Sequence, residues 1–281
     1  MKLFYVMGGG LGHLYRVRTF IDQGSLSPIK VLTNNPLAEK LFSNAEIVFV
    51  EHETPHGLIQ QIHSALNTIP FSEFYIDAFP AGLFGELPVL NQRTVYLARR
   101  LNWSLYKVLV KPGQLRFNET LLLEELEEAH RQVVNEVSES ISPIDLHYPP
   151  ADSSSIISKE IIPQAKPVWL IVHSFIREEV ESLVRYAKEI ARLEKQDPVF
   201  IVLSDQQIVE EDVYCYTWFP ATDWFPLATR IFTGGGFNVL KQAVPYAHKI
   251  TAIPFPRRYD DQDWRIKKFK SATGAAALSA G

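Results

Sequence analysis

The chain has 281 residues, a length that suits two ordinary domains, and 46% of them are hydrophobic, so a substantial core can form. A formal net charge of −4 and a pI of about 6.1 argue against a nucleic-acid-binding surface. Cys215 is the only cysteine, which excludes an intrachain disulfide and favours a reducing, cytoplasmic location. No apolar stretch approaches the roughly 20 residues that cross a bilayer. Peripheral contact with the inner face of a membrane is left open.

Short apolar runs alternate with helical patterns through the first half of the chain. Strands are predicted at residues 3–7, 30–33, 46–50, 74–76, 94–97 and 107–109, and helices at 13–21, 36–42, 60–66 and 119–139. Apolar strands separated by helices indicate a parallel sheet that is covered on both faces.

A proline-rich stretch from 143 to 167, with serines at 153–155, predicts a linker. A second series follows, with strands predicted at 167–172, 199–203, 213–216, 230–233 and 249–253, and helices at 177–193 and 239–244. The predicted fold class is therefore α/β, with two Rossmann-like parallel-sheet domains at residues 1–148 and 149–281. Their ligands are expected in a cleft at the carboxyl ends of the strands.

The first glycine loop, residues 8–13, has the sequence G-G-G-L-G-H. A dinucleotide-binding loop needs glycine where His13 stands, and the second strand lacks a following acid that could hold a ribose, so a nicotinamide enzyme is disfavoured. A histidine at a helix start beside small residues is well placed to meet a substrate hydroxyl. The helix N-terminus would keep its pKa low and the ring neutral. The alternative is that His13 only caps its helix.

The second glycine loop, residues 233–238, has the sequence T-G-G-G-F-N and lies between a predicted strand and a predicted helix. Bare backbone N–H groups and a helix dipole together favour a phosphate. Pro254 and the pair Asp261-Gln262 follow about twenty residues later. This pattern predicts a sugar nucleotide, with its diphosphate on the glycines and its sugar hydroxyls on the carboxylate and the amide.

Together the two loops resemble glycosyltransferases of the GT-B fold. The nearest branches are the N-acetylglucosaminyltransferase that makes lipid II and the UDP-sugar glycosyltransferases. Their G-G-x-x-G-H loop is matched by residues 8–13, and their T-H-G-G-x-N-T-x-x-E segment by residues 233–242, T-G-G-G-F-N-V-L-K-Q. Their later proline and D-Q pair are matched by Pro254 and residues 261–262. Residues 22–213 match only in their strand–helix rhythm. The family histidine is Gly234 here, and the family glutamate that binds ribose is Gln242.

The resemblance implies a metal-independent, inverting transfer of a sugar from a nucleotide-diphosphate donor, with a UDP-sugar favoured and no separate cofactor. The acceptor hydroxyl belongs to a lipid, a glycan or a small molecule. His13 would be the base, and Asp77 would orient it or contact the acceptor, although a turn aspartate is an equal alternative. The loop on the acceptor side comprises Gly9, Gly10, Leu11 and Gly12. Relatives continue beyond the point that matches Gly281, so the chain is expected to be either a minimal member or one whose second domain is truncated.

The donor contacts that the resemblance implies lie in the second domain. Backbone amides of the second glycine loop would stabilise the departing diphosphate, and an indole would stack on the base, although a core position is its alternative. His173 and Ser174 could reach the same phosphates, and capping is the alternative for Ser174. The expected donor-binding set is Ser174, Trp218, Phe219, Gly234, Gly235, Gly236, Phe237, Asn238, Gln242, Asp261 and Gln262.

Two metal patterns are disfavoured. Asp261 and Asp263 form a D-x-D, but the flanking proline and glycines favour a metal-free donor site. His52 and His56 have helical spacing, but Pro55 between them argues against a helix.

Two other functions stay open. One is a nucleotide-sugar epimerase or hydrolase of the same architecture. The other is a non-catalytic nucleotide-sugar-binding protein, which the changes at Gly234 and Gln242 favour.

Overall fold

The computed structural model describes residues 1–157, 166–173 and 176–274. The chain divides into two compact units. Unit 1 comprises Met1–His147 and Arg258–Asp261, and unit 2 comprises Tyr148–Arg257 and Gln262–Gly281. The return of Arg258–Asp261 to unit 1 departs from the simple two-part division that the sequence predicted.

Unit 1 is built on a seven-stranded parallel sheet. Its strands are β1 (Lys2–Val6), β2 (Ile29–Thr33), β3 (Glu46–Phe49), β4 (Glu73–Asp77), β5 (Arg93–Ala98), β6 (Glu119–Leu122) and β7 (Ile141–Pro143). They lie in the order β3-β2-β1-β4-β5-β6-β7. The helices are α1 (Leu11–Gln23), α2 (Ala38–Leu41), α3 (Pro55–Thr68), α4 (Trp103–Tyr106) and α5 (Glu128–Val137), and a 3₁₀ helix spans Lys107–Leu109.

The central strands β1, β4 and β5 are buried on both faces because helices cover both sides of the sheet. Leu3 and Tyr5 of β1 belong to one core cluster. Phe4 faces the other way, stacking on Tyr75 with ring centroids 4.5 Å apart and meeting Phe20 of α1 edge-on. These ring contacts hold α1 against β1 and β4.

Neighbours β1 and β4 form the topological switch point of unit 1, because the chain builds outward from them in opposite directions. Ligands of such sheets bind at the carboxyl ends of the strands on either side of a switch point. The first glycine loop follows β1, and Asp77 ends β4.

Unit 2 is built on a five-stranded parallel sheet. Its strands are β8 (Val168–Val172), β9 (Val199–Leu203), β10 (Val213–Tyr216), β11 (Arg230–Gly234) and β12 (Ile250–Ile253), in the order β10-β9-β8-β11-β12. The helices are α6 (Ser154–Ile157), α7 (Arg177–Leu193), α8 (Phe237–Gln242) and α9 (Gln262–Thr273), with 3₁₀ helices at Ala221–Trp224 and Val244–Lys249. The switch point lies between β8 and β11.

Three local predictions are wrong. Residues 119–139 are not one helix: Glu119–Leu122 pairs in parallel with β5, and the helix begins only at Glu128. Residues 107–109 form a 3₁₀ helix with Val108 exposed, not a strand. Pro55 does not prevent a helix but starts α3, where its missing N–H needs no partner.

Among the helices built from the described residues, none is both long enough and apolar enough to cross a membrane.

His130 lies in the core of unit 1. Its ring is fully buried and stacks on Trp103 with centroids 4.4 Å apart. Burial, with a smaller effect from Arg100, lowers the pKa of His130 to about 3. Unfolding returns the ring to water, where the pKa is about 6.5. Between these values the unfolded chain binds more protons, so this contribution to stability is complete above pH 6.5 and is lost as the pH falls.

Urea unfolding at pH 7 and pH 5 tests this expectation. From pH 6.5 to pH 5 the titration of His130 should remove about 2 kcal/mol of the free energy of unfolding, at about 1.4 kcal/mol per pH unit. Over the same pH range, the free energy of unfolding of His130→Phe should fall by about 2 kcal/mol less than that of the wild type. The exposed His56→Phe variant serves as the control and should follow the wild type. Equal acid sensitivity in His130→Phe and the wild type would show that this ring does not govern the effect.

Candidate functional site

The switch point of unit 1 carries a histidine, a carboxylate and an arginine in direct contact. His13 lies on the first turn of α1, and its Nδ1 is 2.6 Å from Oδ2 of Asp77 at the end of β4. Arg16, one turn further along α1, donates from Nε to Asp77 Oδ1 at 2.7 Å and from Nη2 to Oδ2 at 2.6 Å. The side chains of Arg16 and Asp77 are each 1% exposed. The carboxylate is therefore held on both oxygens.

The charges of this group determine the state of His13. Burial by itself would raise the pKa of Asp77, but Arg16 and His13 hold that pKa far below its usual range. Burial lowers the pKa of His13, Arg16 and Arg99 lower it further, and Asp77 only partly opposes them. The predicted direction was right, but burial, not the helix N-terminus, is the main cause. An ionised carboxylate only accepts, so the ring proton lies on Nδ1 and the lone pair on Nε2.

The alternative that His13 only caps its helix and the alternative that Asp77 only stabilises a turn are both wrong. The N-cap of α1 is Gly10, with no side-chain cap, so His13 does not cap its helix. The Asp77 carboxylate binds His13 and Arg16 rather than a turn. The catalytic roles of His13 and Asp77 stay predictions.

The glycine loop leaves space beside the His13 ring. Gly8 has φ 130°, and a Cβ there would lie 3.2 Å from His13 Nε2. Asn34 Oδ1 accepts from the Gly8 N–H at 3.1 Å, and Asn35 Nδ2 donates to the Gly10 carbonyl at 2.8 Å. The loop after β2 thus fixes the predicted acceptor-side loop, which contains Gly9, Gly10, Leu11 and Gly12.

Aromatic rings extend from one face of His13. Phe79 stacks on the imidazole with centroids 5.5 Å apart, and Tyr106 stacks on Phe79 with centroids 5.9 Å apart. Tyr259, from the segment that returns to unit 1, meets both Phe79 and Tyr106 edge-on. This aromatic wall, comprising Phe79, Tyr106 and Tyr259, gives the His13 ring an apolar side.

The second glycine loop lies at the switch point of unit 2. Gly234 is the last residue of β11, and α8 begins at Phe237 with Gly236 as its N-cap. Asn238 is therefore the second residue of α8 and not its cap. Its Oδ1 accepts from the Tyr148 hydroxyl at 2.9 Å.

The expectation of a bare amide at Gly235 is wrong. Its N–H donates to Gln262 Oε1 at 3.0 Å, and its carbonyl accepts from Arg265 Nη1 at 2.8 Å. The same Gln262 oxygen accepts from the Phe255 N–H at 3.0 Å. The amide oxygen of Gln262 thus accepts two backbone hydrogen bonds within unit 2. A Cβ at Gly235 would lie 2.8 Å from Gln262 Cβ, so this glycine serves the close packing of α9.

Four further residues of the expected donor-binding set are Trp218, Phe219, Gln242 and Ser174. Trp218 donates from Nε1 to Asp223 Oδ2 at 3.2 Å, and its neighbour Phe219 is 45% exposed. Gln242 Nε2 is buried and has no hydrogen-bond partner within the described part of the chain. Ser174 lies outside the described residues.

Asp261 and Gln262 fall in different units, and their joint role in holding a sugar stays a prediction. Asp261 belongs to unit 1, where its Oδ2 accepts from Arg100 Nε at 3.0 Å, whereas Gln262 belongs to unit 2. Asp263, the second acid of the D-x-D, pairs with Lys267 at 2.5 Å. Within the described residues, no group of three or more His, Cys, Asp or Glu side chains could hold a metal ion.

A second histidine–carboxylate–arginine group lies in unit 2. His173, which follows β8, has Nε2 2.6 Å from Glu179 Oε2 on α7. Arg257 donates to both Glu179 oxygens at 2.5 Å. Sequence reasoning missed Arg16, although it lies three residues after His13 and so on the same helix face. It missed the pairing of Glu179 with Arg257 because 78 residues separate them.

No protein-family model matches the chain, and no curated protein matches it by sequence. Solved structures do match. The glycosyltransferase SnogD from Streptomyces nogalater has a TM-score of 0.58 and 14% identity, covering 99% of this chain and 90% of that chain. SsfS6, a glycosyltransferase from Streptomyces sp. SF2575 in complex with thymidine diphosphate, has a TM-score of 0.58 and 10% identity, covering 98% and 86%. The UDP-N-acetylglucosamine 2-epimerase from Rickettsia bellii has a TM-score of 0.54 and 11% identity, covering 98% and 88%.

These likenesses and the two parallel sheets show that the chain has the GT-B fold. The fold class that the sequence predicted is confirmed.

Gly235 and Gly236 offer a matched pair of substitutions. Gly235→Ala forces a methyl group against α9 and should lower the free energy of unfolding by about 1–3 kcal/mol. At Gly236 the nearest atom to an added Cβ is 3.5 Å away and φ is −65°, so Gly236→Ala should be nearly neutral. Urea unfolding measures both variants. Equal stability of the two would contradict this packing role of Gly235.

Proposed function

We propose that this protein transfers a sugar from a nucleotide-diphosphate donor to an acceptor hydroxyl, with His13 as the general base. The observation that carries the proposal is the hydrogen bond of 2.6 Å between His13 Nδ1 and the ionised Asp77. It leaves the lone pair of His13 Nε2 beside the space that Gly8 keeps clear. The GT-B fold supports the reaction class.

The proposed chemistry is a single displacement. The acceptor hydroxyl donates to His13 Nε2, and its oxygen attacks the anomeric carbon of the donor. The bond from that carbon to the diphosphate oxygen breaks, its electron pair leaves with the diphosphate, and the hydroxyl proton passes to Nε2. Asp77 then stabilises the imidazolium, and Arg16 keeps Asp77 ionised throughout. Attack opposite to the leaving group inverts the anomeric centre.

The donor is assigned to unit 2. The thymidine diphosphate complex of SsfS6, which shares the fold, supports a nucleoside diphosphate as the ligand class. The sequence resemblance favours a UDP-sugar and a metal-independent reaction. On the acceptor side, the aromatic wall beside His13 suits an acceptor with an apolar or ring-shaped face.

The main competing function is a nucleotide-sugar epimerase, because one structure with the same fold is a UDP-N-acetylglucosamine 2-epimerase. The two functions differ in their need for an acceptor. Nucleotide release that requires an added acceptor supports transfer, whereas isomerisation or release without one supports the epimerase or a hydrolase. Binding of a nucleotide sugar without turnover supports a non-catalytic binding protein.

His13→Ala tests the proposed base. With nucleotide sugars and a panel of hydroxyl acceptors, the variant should lose about 10²–10⁴-fold in kcat, because proton removal from the acceptor loses its catalyst. Donor affinity, measured by calorimetry, should stay unchanged. His56→Ala removes an exposed histidine of the same unit and should keep full activity. Wild-type turnover in His13→Ala would remove this histidine from the mechanism.

The pH dependence of kcat/KM for the acceptor, measured with the donor saturating at each pH, gives a separate check. The base must be neutral to accept a proton, and burial keeps the pKa of His13 below its ordinary value of 6.5. Activity should therefore hold through neutral pH and fall only in acid, with a midpoint below 6.5. The residual activity of His13→Ala should lack this acid limb. A midpoint above 6.5, or the same limb in the variant, would count against the assignment.

A further inference from the structure

His173 occupies the position in unit 2 where a ligand of a parallel sheet is expected. His173 directly follows β8, and the second glycine loop lies at the end of β11. Both therefore lie at the carboxyl ends of the two strands that form the switch point. The His173 side chain is 14% exposed and is held through Nε2 by Glu179 at 2.6 Å. Its position is therefore fixed by a partner on α7, and Nδ1 is the nitrogen left for another contact.

The His173 ring fills the space that a side chain at residue 234 would need. A Cβ built on Gly234 would lie 3.3 Å from His173 Nδ1 and 3.3 Å from a ring carbon of Phe255. The His173 and Phe255 rings are in contact, with centroids 5.1 Å apart. The segment that residues 233–242 resemble carries a histidine where Gly234 stands. In this chain the imidazole of His173 lies beside that position, and His173 follows the neighbouring strand β8.

The charges around His173 favour a neutral ring in the absence of a ligand. The charged groups that act on it are Glu179 and Arg257, and these two pair with each other. Burial lowers the pKa of His173, Glu179 opposes that shift, and Arg257 adds to it. With its proton donated from Nε2 to the carboxylate, the neutral ring presents a lone pair at Nδ1.

We propose that His173 binds a phosphate oxygen of the donor diphosphate and takes up one proton from solvent as it does so. The proton goes to Nδ1, which then donates to the phosphate, while Nε2 continues to donate to Glu179. This inference rests on the proposed function, since it names a phosphate contact of the same donor.

Proton uptake follows from the chemistry of the contact. A lone pair at Nδ1 repels a phosphate oxygen, whereas an N–H on a charged ring forms a charge-assisted hydrogen bond with it. Because Arg257 already balances Glu179, protonation of His173 gives the group one net positive charge for the diphosphate. The energy of that contact offsets the cost of charging a half-buried ring.

Calorimetric titration with UDP-glucose, thymidine-diphosphate glucose and GDP-mannose tests the proposal. In these diphosphate diesters the phosphates do not titrate near neutrality, so proton uptake reports on the protein. The binding enthalpy of the wild type should vary with the ionisation enthalpy of the buffer, showing uptake of up to one proton. The affinity should weaken as the pH rises, by at most tenfold per pH unit.

Three variants isolate the residue. His173→Gln keeps a donor for Glu179 but cannot be protonated, so it should bind about tenfold more weakly and without proton uptake. His173→Ala should weaken binding likewise, and adding Gly234→His to it should restore part of the affinity, since the vacated space admits the new ring. His248→Ala, an exposed histidine of the same unit, should bind as the wild type does.

The outcomes separate the two proposals. If the wild type binds none of the three nucleotide sugars, the proposed function fails. If the wild type binds one of them without proton uptake, and a folded His173→Gln binds equally well, the inference about His173 fails while the proposed function stands. Circular dichroism establishes that each variant is folded before binding is measured.

Discussion

The buried ion pair between Arg16 and Asp77 is the constraint on which the unit 1 site depends. Arg16 holds both oxygens of the carboxylate in a dry environment, where removing either partner would cost about 3–5 kcal/mol. The pair keeps Asp77 ionised, and an ionised Asp77 fixes both the orientation and the tautomer of His13. Arg16 also offsets most of the negative charge of Asp77, which would otherwise raise the pKa of His13. The ring is consequently neutral at physiological pH rather than a cation.

The same arrangement occurs at both switch points but with opposite ring nitrogens. In unit 1, Asp77 holds His13 through Nδ1 and leaves Nε2, and in unit 2, Glu179 holds His173 through Nε2 and leaves Nδ1. In each case an arginine neutralises the carboxylate. In the proposed reaction the first histidine accepts a proton from a hydroxyl, and the second acquires one to meet a diphosphate. Parallel sheets place such groups together because the carboxyl ends of neighbouring strands share one edge.

Sequence reasoning predicted the fold and the His13 position because apolar runs and glycine loops are local signals. It named Asp77 as a residue that would orient His13 or contact the acceptor, and the structure puts that carboxylate against His13. It failed where distant residues decide the environment. The amide of Gly235 looked bare in the sequence, but a glutamine 27 residues away accepts its hydrogen bond. The pairing of Asp261 with Arg100 depends on the return of the chain to unit 1, which local patterns do not encode.

The state of the His13 ring is the central claim, and nitrogen-15 NMR of the histidine side chains measures it most directly. With His13 assigned by comparison with His13→Ala, the account predicts a neutral ring at pH 7 that carries its proton on Nδ1. It also predicts a titration midpoint below 6.5. A ring protonated on Nε2 at neutral pH, or a midpoint above 6.5, would contradict the role of Nε2 as the proton acceptor.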